Sequence, residues 1–240
     1  MAILITICAR GGSKGIPGKN IKMINGKPLI FFTINTAEQF SKVAGDVKIV
    51  LSTDDEEIRS TVRGLHFNID TDYIRPDHLA SDTAGKLDAI KDVKLYSEEK
   101  NNIKYDYVLD LDVTSPLRTV QDIQKAFDLL LKDDNAYNIF SVSPANRNPY
   151  FNMVEQNEEG YYTTSKKGSF LTRQSAPKVY DMNASFYIFK DTYFQNDFKG
   201  AITDKSLVYE VPHLCFDLDH TIDFEFMEFL MASNKLDFKI

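Results

Sequence analysis

Residues 3–20 read ILITICARGGSKGIPGKN. The apolar run, residues 3–8, has the length and the Ile-rich composition of a strand buried on both faces. The loop that follows combines glycines with Arg10, Lys14 and Lys19, and no Asp or Glu occurs in the first 37 residues. The chain as a whole has a formal net charge of -7. A cationic, glycine-rich turn after a buried strand in an acidic protein predicts a site for a polyanion, most simply phosphate.

The apolar run is the first of a series in which short strands alternate with amphipathic helices. Strands are predicted at residues 3–8, 47–52, 107–111, 139–142, 185–189 and 207–211. Helices are predicted at residues 28–40, 54–65, 119–131 and 221–232. The alternation predicts an α/β fold, a Rossmann-like three-layer α/β/α arrangement with a mostly parallel, mixed sheet. Such sheets bind ligands beyond the carboxyl ends of their strands, where the Arg10 loop lies.

The alternation breaks between residues 144 and 182, where the sequence is polar, aromatic and without a helical stripe. We interpret 144–182 as an inserted, hairpin-rich segment, and 1–143 plus 183–240 as one catalytic domain. In the last helix we expect Ile222, Phe226, Phe229 and Leu230 to face inward.

Composition excludes several classes of protein. With 28 basic and 35 acidic residues among 240, a general nucleic-acid binder is disfavoured. No run approaches the roughly 18 apolar residues of a membrane span, and the start MAILITICARGG lacks the basic leader of a signal peptide. Cys8 and Cys215 lie in apolar surroundings and are expected to be buried thiols, which fits a cytoplasmic protein.

The glycine loop matches neither common phosphate motif. G-x-x-x-x-G-K-[ST] cannot be laid over residues 11–15, and G-x-G-x-x-G does not occur there, which disfavours a dehydrogenase. Backbone amides at its glycines can still face an anion, and Arg10, Lys14 and Lys19 can donate charge-assisted hydrogen bonds. The alternative is a solvated basic loop, although such a loop usually interleaves charges of both signs.

Ordered motifs then identify a resemblance. The segments are A9-R-G-G-S-K-G-I-P-G-K-N20, G26-K-P-L-I, S52-T-D-D55, R75-P-D-H-L-A-S-D-T83, T114-S-P-L-R118 and F216-D-L-D219. Together they resemble the signature of the acylneuraminate cytidylyltransferases, the CMP-sialic acid synthetases. The match covers about residues 1–120 and 183–235, and the insertion matches weakly.

The resemblance implies transfer of CMP from CTP to the anomeric 2-hydroxyl of a nine-carbon 2-keto sugar acid, with release of pyrophosphate. Such chemistry is mostly positioning and charge neutralisation. The implied catalytic residues are Lys19, Arg10, Asp217 and Asp219. The implied nucleotide-binding residues are Arg10, Gly11, Gly12, Ser13, Lys14, Lys19, Asn20, Arg75 and Ala84. Arg75 has an alternative interpretation as a surface cation that caps Asp77 or Asp82.

A Mg²⁺ cofactor is expected at Asp217 and Asp219. These residues alternate on an extended segment, so both carboxylates point to one side, and Mg²⁺ takes few protein ligands beside phosphate oxygens and water. Their alternative role is to cap the helix that starts at Thr221, whereas Asp223 is better explained as a first-turn residue. Asp110 and Asp112 form a second alternating pair, and Asp112 is a third candidate ligand of a metal or of a sugar hydroxyl.

The sugar-binding residues implied by the resemblance are Asp112, Thr114, Ser115, Arg173, Asp181 and Asn183. Two of them depart from the family pattern: Asp112 stands where sialic acid members carry Gln, and Asp181 where they carry Arg. Because polar mismatches discriminate strongly between substrates, a legionaminate-like or otherwise modified nonulosonate is an open alternative. Arg173 resembles a family arginine near the sugar carboxylate, and its alternative is an interface residue.

Further expectations concern the partner. In the resembled family the insertion joins two subunits. Residues 144–182 are rich in aromatics, as interfaces are, so a homodimer is expected. The alternative is a local hairpin that folds onto its own domain. Rival functions are a KDO-type or other sugar nucleotidyltransferase, and a binding module that has lost its chemistry.

Overall fold

The computed structural model describes residues 1–12, 15–81, 83–196 and 198–240. Within these residues a six-stranded sheet has the order β10-β6-β9-β5-β1-β4. Its strands are β1 (Ala2–Cys8), β4 (Asp46–Ser52), β5 (Tyr107–Leu111), β6 (Asn138–Pro144), β9 (Tyr180–Lys190) and β10 (Ser206–Glu210). Two short hairpins add β2 (Met23–Ile24) with β3 (Lys27–Pro28), and β7 (Val154–Gln156) with β8 (Tyr162–Thr164).

The sheet is parallel except for one strand. β1 pairs in parallel with β4 and β5, and β10 pairs in parallel with β6. β9 is antiparallel to both β5 and β6 and joins the two parallel halves. The carboxyl ends of the parallel strands and the amino end of β9 therefore meet at one edge of the sheet.

Helices cover both faces. They are α1 (Leu29–Ala44), α2 (Glu56–Gly64), α3 (Asp77–Ala80), α4 (Lys86–Asn101), α5 (Val120–Lys132), α6 (Asp191–Phe194) and α7 (Thr221–Ala232). Alternate residues of β1 enter opposite cores: Ile3, Ile5 and Ile7 pack in the core that α1, α2, α5 and α7 cover. Leu4 packs in the smaller core on the α4 and α6 side. The predicted Rossmann-like, three-layer α/β/α fold with a mostly parallel, mixed sheet is confirmed.

The predicted inward face of α7 is wrong. Ile222, Phe226 and Phe229 are 64%, 45% and 51% exposed, and the helix instead buries Phe224, Met227 and Leu230. Apolar residues occur on several sides of this helix, so spacing alone does not define the buried face. Of the predicted residues only Leu230 faces the core.

Residues 145–179, between β6 and β9, hold the β7–β8 hairpin and a short 3-10 turn, Arg173–Ser175. The predicted insertion, 144–182, overlaps β9 at its end, because Ser143 and Pro144 of β6 pair with Asp181 and Tyr180. Its role between subunits stays a prediction.

Cys8 and Cys215 are both free thiols, and burial raises their pKa values to about 12 and about 11. None of the described helices is long and apolar enough to cross a membrane.

Candidate functional site

A cavity lies where β1, β4 and β5 end. Cys8 pairs with Ser52 across β1 and β4, and Thr6 pairs with Asp110 across β1 and β5, so the three strands finish side by side. The cavity has a volume of about 240 Å³, and we call it the arginine cavity. Its lining residues are Cys8, Arg10, Arg75, Leu79, Ser81, Ala84, Gly85, Lys86, Ala89 and Asp112. Arg10, Arg75, Ala84 and Asp112 of the predicted site thus meet in one place.

Arg10 and Arg75 both donate hydrogen bonds to backbone carbonyls, and Arg75 also donates to a hydroxyl. Arg75 is only 5% exposed, and its Nε donates to Ser52 Oγ at 3.0 Å while Nη2 donates to Ser52 O at 2.9 Å. The alternative of a surface cation is therefore wrong. Arg10 Nη1 donates to Ala80 O at 3.4 Å. Both guanidinium groups line this small cavity, and guanidinium groups suit an anionic or carbonyl-rich ligand.

The glycine loop is held against two other parts of the chain. Gly11 N donates to Asp54 Oδ1 at 2.9 Å, so this amide is already used inside the protein. Gly12 has a φ of 66°, in the left-handed region that favours glycine. A side chain at Gly15 would place its Cβ 3.0 Å from the carbonyl oxygen of Asp219. Close approach of loop and acidic segment therefore requires glycine here. The predicted Ser13 and Lys14 lie outside the described residues.

Lys19 joins the first loop to the late acidic segment. Its Nζ lies 3.0 Å from Asp219 Oδ1, and its side chain is 15% exposed against 61% for Asp219. The neighbouring Asn20 is buried and donates from Nδ2 to Arg10 O at 2.9 Å, which braces the loop from within. Its predicted contact with ribose or base stays a prediction.

The acidic segment, residues 216–219, lies outside the helices and strands. Leu218 is fully buried and its amide donates to Thr114 O at 2.8 Å. Asp217 and Asp219 flank it in the sequence, and a common orientation of their carboxylates stays a prediction. Helix α7 is capped by another residue, since Asp223 Oδ2 accepts from the amides of Asp219 at 2.9 Å and His220 at 2.6 Å. The first-turn role of Asp223 is confirmed, and the side chains of Asp217 and Asp219 are not needed for the cap.

The surroundings of the Asp217 carboxylate suit the binding of a cation. Its Oδ1 is buried and makes no hydrogen bond. Desolvation, followed by the nearby charges of Asp112 and Asp219, raises the pKa of Asp217 to about 6, although Ser115 and Lys19 lower it. A divalent ion would satisfy the oxygen and offset the repulsion between carboxylates. No group of three or more His, Cys, Asp or Glu side chains within the described ranges is arranged around a metal position, so such an ion would need phosphate oxygens or water besides these two aspartates.

Asp112 is bound on both carboxylate oxygens. Oδ1 accepts from Thr114 N at 2.7 Å and Thr114 Oγ1 at 2.8 Å. Oδ2 lies 2.7 Å from Lys86 Nζ, and the same ammonium is 2.7 Å from Asp110 Oδ2. Burial opposes ionisation of Asp112, but Lys86 and Thr114 outweigh it and lower its pKa to about 2. Asp112 is thus ionised at neutral pH and paired with Lys86, which belongs to none of the sequence motifs.

Arg118, the last residue of the TSPLR motif, holds the loop that follows β5 in place by hydrogen bonds. It is fully buried, and desolvation lowers its pKa to about 10, which leaves it charged at neutral pH. Its guanidinium donates to Asp112 O at 2.6 Å, Ser115 O at 2.8 Å, Thr33 Oγ1 at 2.6 Å, Ser185 Oγ at 3.1 Å and the Ser185 carbonyl. Arg118 therefore fixes residues 112–118 to α1 and β9.

The predicted sugar residues Ser115 and Asn183 bind each other in the interior. Ser115 Oγ donates to Asn183 O at 2.8 Å, and the Asn183 side chain bonds to Ser141 Oγ at 2.6 Å and Ser143 Oγ at 3.0 Å. Both residues shape the amino end of β9 in this structure. Their direct contact with sugar stays a prediction.

Arg173 and Asp181 lie elsewhere. Arg173 Nη2 donates to the carbonyl of Ala145, and it lines a cavity that also includes Tyr180 and Glu210. Asp181 is exposed and accepts from Asn146 N at 3.3 Å. Neither lines the arginine cavity, so one chain does not bring all predicted sugar residues together.

A second cavity adjoins the arginine cavity through Gly85 and Lys86, which line both. Its volume is about 380 Å³, and we call it the aromatic cavity. The lining residues are Gly85, Lys86, Leu87, Asp88, Ile90, Lys91, Tyr187, Phe189, Tyr193, Phe194, Asn196, Phe198, Lys199 and Ala201. No sequence pattern predicted this cavity, because helix α4 was not predicted. Its one sequence signal was the aromatic spacing of β9, where Tyr187 and Phe189 stack with ring centroids 6.0 Å apart.

Comparison with known proteins decides the family. The family model described as Cytidylyltransferase matches residues 4–236. The chain belongs to the cytidylyltransferase family. The suspected sialic-acid-type membership is therefore confirmed, and with it the assignment of this chain as a nucleotidyltransferase-class cytidylyltransferase.

Two relatives and one solved structure add detail. The chain is 44% identical over 239 residues to post-translational flagellin modification protein B of Campylobacter coli, covering 99% of this chain and 98% of that one. It is 42% identical over 235 residues to the CMP-N,N'-diacetyllegionaminic acid synthase of Campylobacter jejuni, covering 98% and 97%. A CMP:2-keto-3-deoxy-manno-octonic acid synthetase complexed with CTP superposes with a TM-score of 0.66 at 17% identity, covering 98% and 100%. That last similarity concerns the fold alone.

Proposed function

We propose that this cytidylyltransferase transfers CMP from CTP to the anomeric 2-hydroxyl of a nonulosonic acid and releases pyrophosphate. The observation that carries the proposal is the meeting of the basic first loop with the late acidic segment, through Lys19 and Asp219 at 3.0 Å. A cation-rich loop in contact with a segment that carries two carboxylates is the arrangement that a metal-bound triphosphate requires.

The arginine cavity is the proposed place of the nucleotide. Arg75 is buried and held by two hydrogen bonds to Ser52, so its side chain is ordered before a ligand arrives and loses little entropy on binding. Arg10 donates to Ala80 O at the same cavity. With Lys19 and the glycine loop beside them, they would neutralise the phosphates, while Ala84 leaves room for the nucleoside. Gly11, Gly12, Ser13, Lys14 and Asn20 keep their proposed roles in nucleotide binding.

Mg²⁺ is proposed at Asp217 and Asp219, because the orphaned Oδ1 of Asp217 and its raised pKa fit a bound cation. When bound, the ion would neutralise charge on the triphosphate. The chain's own residues do the remainder: Lys19 and Arg10 hold the phosphates in line with the sugar hydroxyl. The hydroxyl oxygen forms a bond to the α-phosphorus, the bond from the α-phosphorus to the α–β bridging oxygen breaks, pyrophosphate leaves with that oxygen, and the hydroxyl proton passes to solvent.

The aromatic cavity is the proposed place of the sugar acid. It adjoins the arginine cavity at Lys86, which would put the sugar hydroxyl beside the α-phosphate. Tyr187, Phe194 and Phe198 offer apolar surface for acylamido groups, and the lysines in its wall suit a carboxylate. Since a CMP-N,N'-diacetyllegionaminic acid synthase is 42% identical, we propose a legionaminate-type diacylamino sugar. Asp112 and Thr114 would border it.

A homodimer is proposed from the insertion. Its exposed apolar residues include Tyr161 at 69%, Tyr162 at 66% and Leu171 at 92%, and burying such surface favours association. In a dimer, Arg173 and Asp181 would serve the site of the partner subunit. A monomer at micromolar concentration with full activity, measured by light scattering, would refute this part. A cytoplasmic location and a role in cell-surface polysaccharide biosynthesis are part of the same proposal.

The test is pyrophosphate release with CTP, Mg²⁺ and a panel of 2-keto sugar acids: N,N'-diacetyllegionaminate, pseudaminate, N-acetylneuraminate and KDO. The proposal predicts the highest kcat/KM with the legionaminate and loss of at least about 100-fold in Asp217→Asn. The matched control Asp128→Asn changes an exposed carboxylate on α5 and should keep full activity. Release with KDO alone would favour the sister activity, and no release with any acid would favour a binding module.

A further inference from the structure

Lys86, the first residue of α4, lies between two strand-end carboxylates. Its Nζ is 2.7 Å from Asp110 Oδ2 and 2.7 Å from Asp112 Oδ2. Asp110 is fully buried and Asp112 side-chain exposure is 19%. The lysine side chain is 35% exposed, so ions in the adjoining cavities can reach the position of its ammonium.

The remaining oxygens of the two carboxylates are already satisfied. Asp110 Oδ1 accepts from Thr6 Oγ1 at 2.7 Å, and Asp112 Oδ1 accepts from the amide and hydroxyl of Thr114. Each carboxylate is thereby fixed in rotation, and the two Oδ2 atoms converge on one point. Two fixed carboxylate oxygens that share one cation are also the protein's part of many divalent-metal sites.

We propose that Lys86 is a built-in cation that takes the place of a divalent metal ion between Asp110 and Asp112. The lysine sits in the wall shared by the arginine cavity and the aromatic cavity, and its charge prevents the two carboxylates from repelling phosphate and sugar carboxylate. This inference rests on the proposed function for its consequence, which is that catalysis needs a metal only at Asp217 and Asp219. It replaces the expectation that Asp112 itself binds a metal.

A purely structural ion pair would behave differently. Neutral replacement of one partner in such a pair leaves buried charge and weakens folding, but it creates no binding site. A built-in cation, when removed, leaves a preformed pair of carboxylate oxygens that a divalent ion can occupy. The distinguishing readout is therefore the number of metal ions bound, not activity.

The experiment counts Mn²⁺ by electron paramagnetic resonance in wild type, Lys86→Met and Lys86→Met/Asp110→Asn, without nucleotide or sugar. Lys86→Met should bind one more Mn²⁺ per chain than wild type. At a Mn²⁺ concentration ten times the dissociation constant of this extra site, the melting temperature of Lys86→Met should be about 3–5 °C higher than without Mn²⁺. The double variant should lose the extra ion. Lys125→Met replaces an exposed lysine on α5. It is the matched control and should bind the same number of Mn²⁺ ions as wild type.

Lys86→Gln is measured in parallel, because its amide can still donate to Asp110 and supports folding if the Met variant does not fold. An unchanged Mn²⁺ count in the folded Lys86 variants would overturn the inference, as would an extra ion that persists after Asp110→Asn. Because the metal count measures no turnover, an unchanged count would overturn the role of Lys86 and leave the proposed function untouched. Absence of pyrophosphate release from the wild-type protein would refute the proposed function and leave the metal count unaffected.

Discussion

Replacing Arg118 by Met should loosen the site, although Arg118 lies outside it. The side chain is fully buried, and its guanidinium donates to carbonyls of Asp112, Ser115 and Ser185 and to hydroxyls of Thr33 and Ser185. Met fills similar space but donates nothing. Each carbonyl would keep one neutral donor, because Asp112 O also accepts from Thr33 Oγ1, Ser115 O from Ser185 Oγ and Ser185 O from the Asp112 amide. All of them would lose their hydrogen bond to a charged group.

The magnitude follows from those acceptors. Each hydrogen bond to a charged group contributes about 1.5–3 kcal/mol, and part of their summed loss is offset because the variant no longer buries a charge. We expect a net loss of about 4 kcal/mol in the free energy of unfolding, or about 8–16 °C in melting temperature for a domain of this size. The loop 112–118 should also lose its hold on α1 and β9.

The assay is urea unfolding followed by tyrosine fluorescence, with CTP affinity measured by calorimetry below the transition. Arg118→Lys keeps the charge but not the planar fork and should recover only part of the loss. Arg63→Met, whose side chain is 52% exposed, is the control and should stay within about 0.5 kcal/mol. A loss below about 1 kcal/mol for Arg118→Met would refute the reasoning.

Three further outcomes are expected. Arg75→Met should raise the Kd for CTP at least about tenfold by calorimetry, since a fixed donor pair is removed; an unchanged Kd would place the nucleotide elsewhere. Met227→Ala should lower the free energy of unfolding by about 2–5 kcal/mol in thermal unfolding, whereas Phe229→Ala should leave it nearly unchanged. The reverse order would mean that α7 buries the face that the sequence predicted. Desolvation lowers the pKa of His213, but hydrogen bonds to Asp122 and the Leu214 carbonyl outweigh it and raise the pKa above 6.5. This stabilisation is fully present below pH 6.5 and is lost as pH rises through the folded pKa. His213→Gln should therefore lower the free energy of unfolding by more at pH 6 than at pH 9 in urea titrations, and an effect independent of pH would contradict the assignment.

Much of the fold could be predicted because its strands are simple. The buried parallel strands read as short Ile- and Val-rich runs, and the helices α2 and α5 carry acidic starts and clear apolar stripes. α4 was missed for a physical reason: its buried face includes Lys94 and Glu98, whose charges pair at 2.7 Å. Polar residues in the buried stripe hide the helical period from the sequence.

The site divides in the same way. The first loop and the acidic segment were found because glycine, cation and alternating acid patterns have direct chemical meanings, and the structure joins them at Lys19 and Asp219. Lys86 gave no such signal, since its partners Asp110 and Asp112 approach it only through tertiary packing. The position of β9, antiparallel between β5 and β6, likewise depends on long-range pairing that local sequence does not encode.

The most direct test of CMP transfer uses N,N'-diacetyllegionaminate carrying ¹⁸O at the anomeric hydroxyl. The sugar is incubated with CTP, Mg²⁺ and the protein, and the products are observed by ³¹P nuclear magnetic resonance. The proposed attack on the α-phosphorus predicts one CMP phosphodiester signal with an isotope shift, and unlabelled pyrophosphate. A phosphodiester signal without the shift, or no CMP-linked product from any acid of the panel, would contradict the proposed reaction.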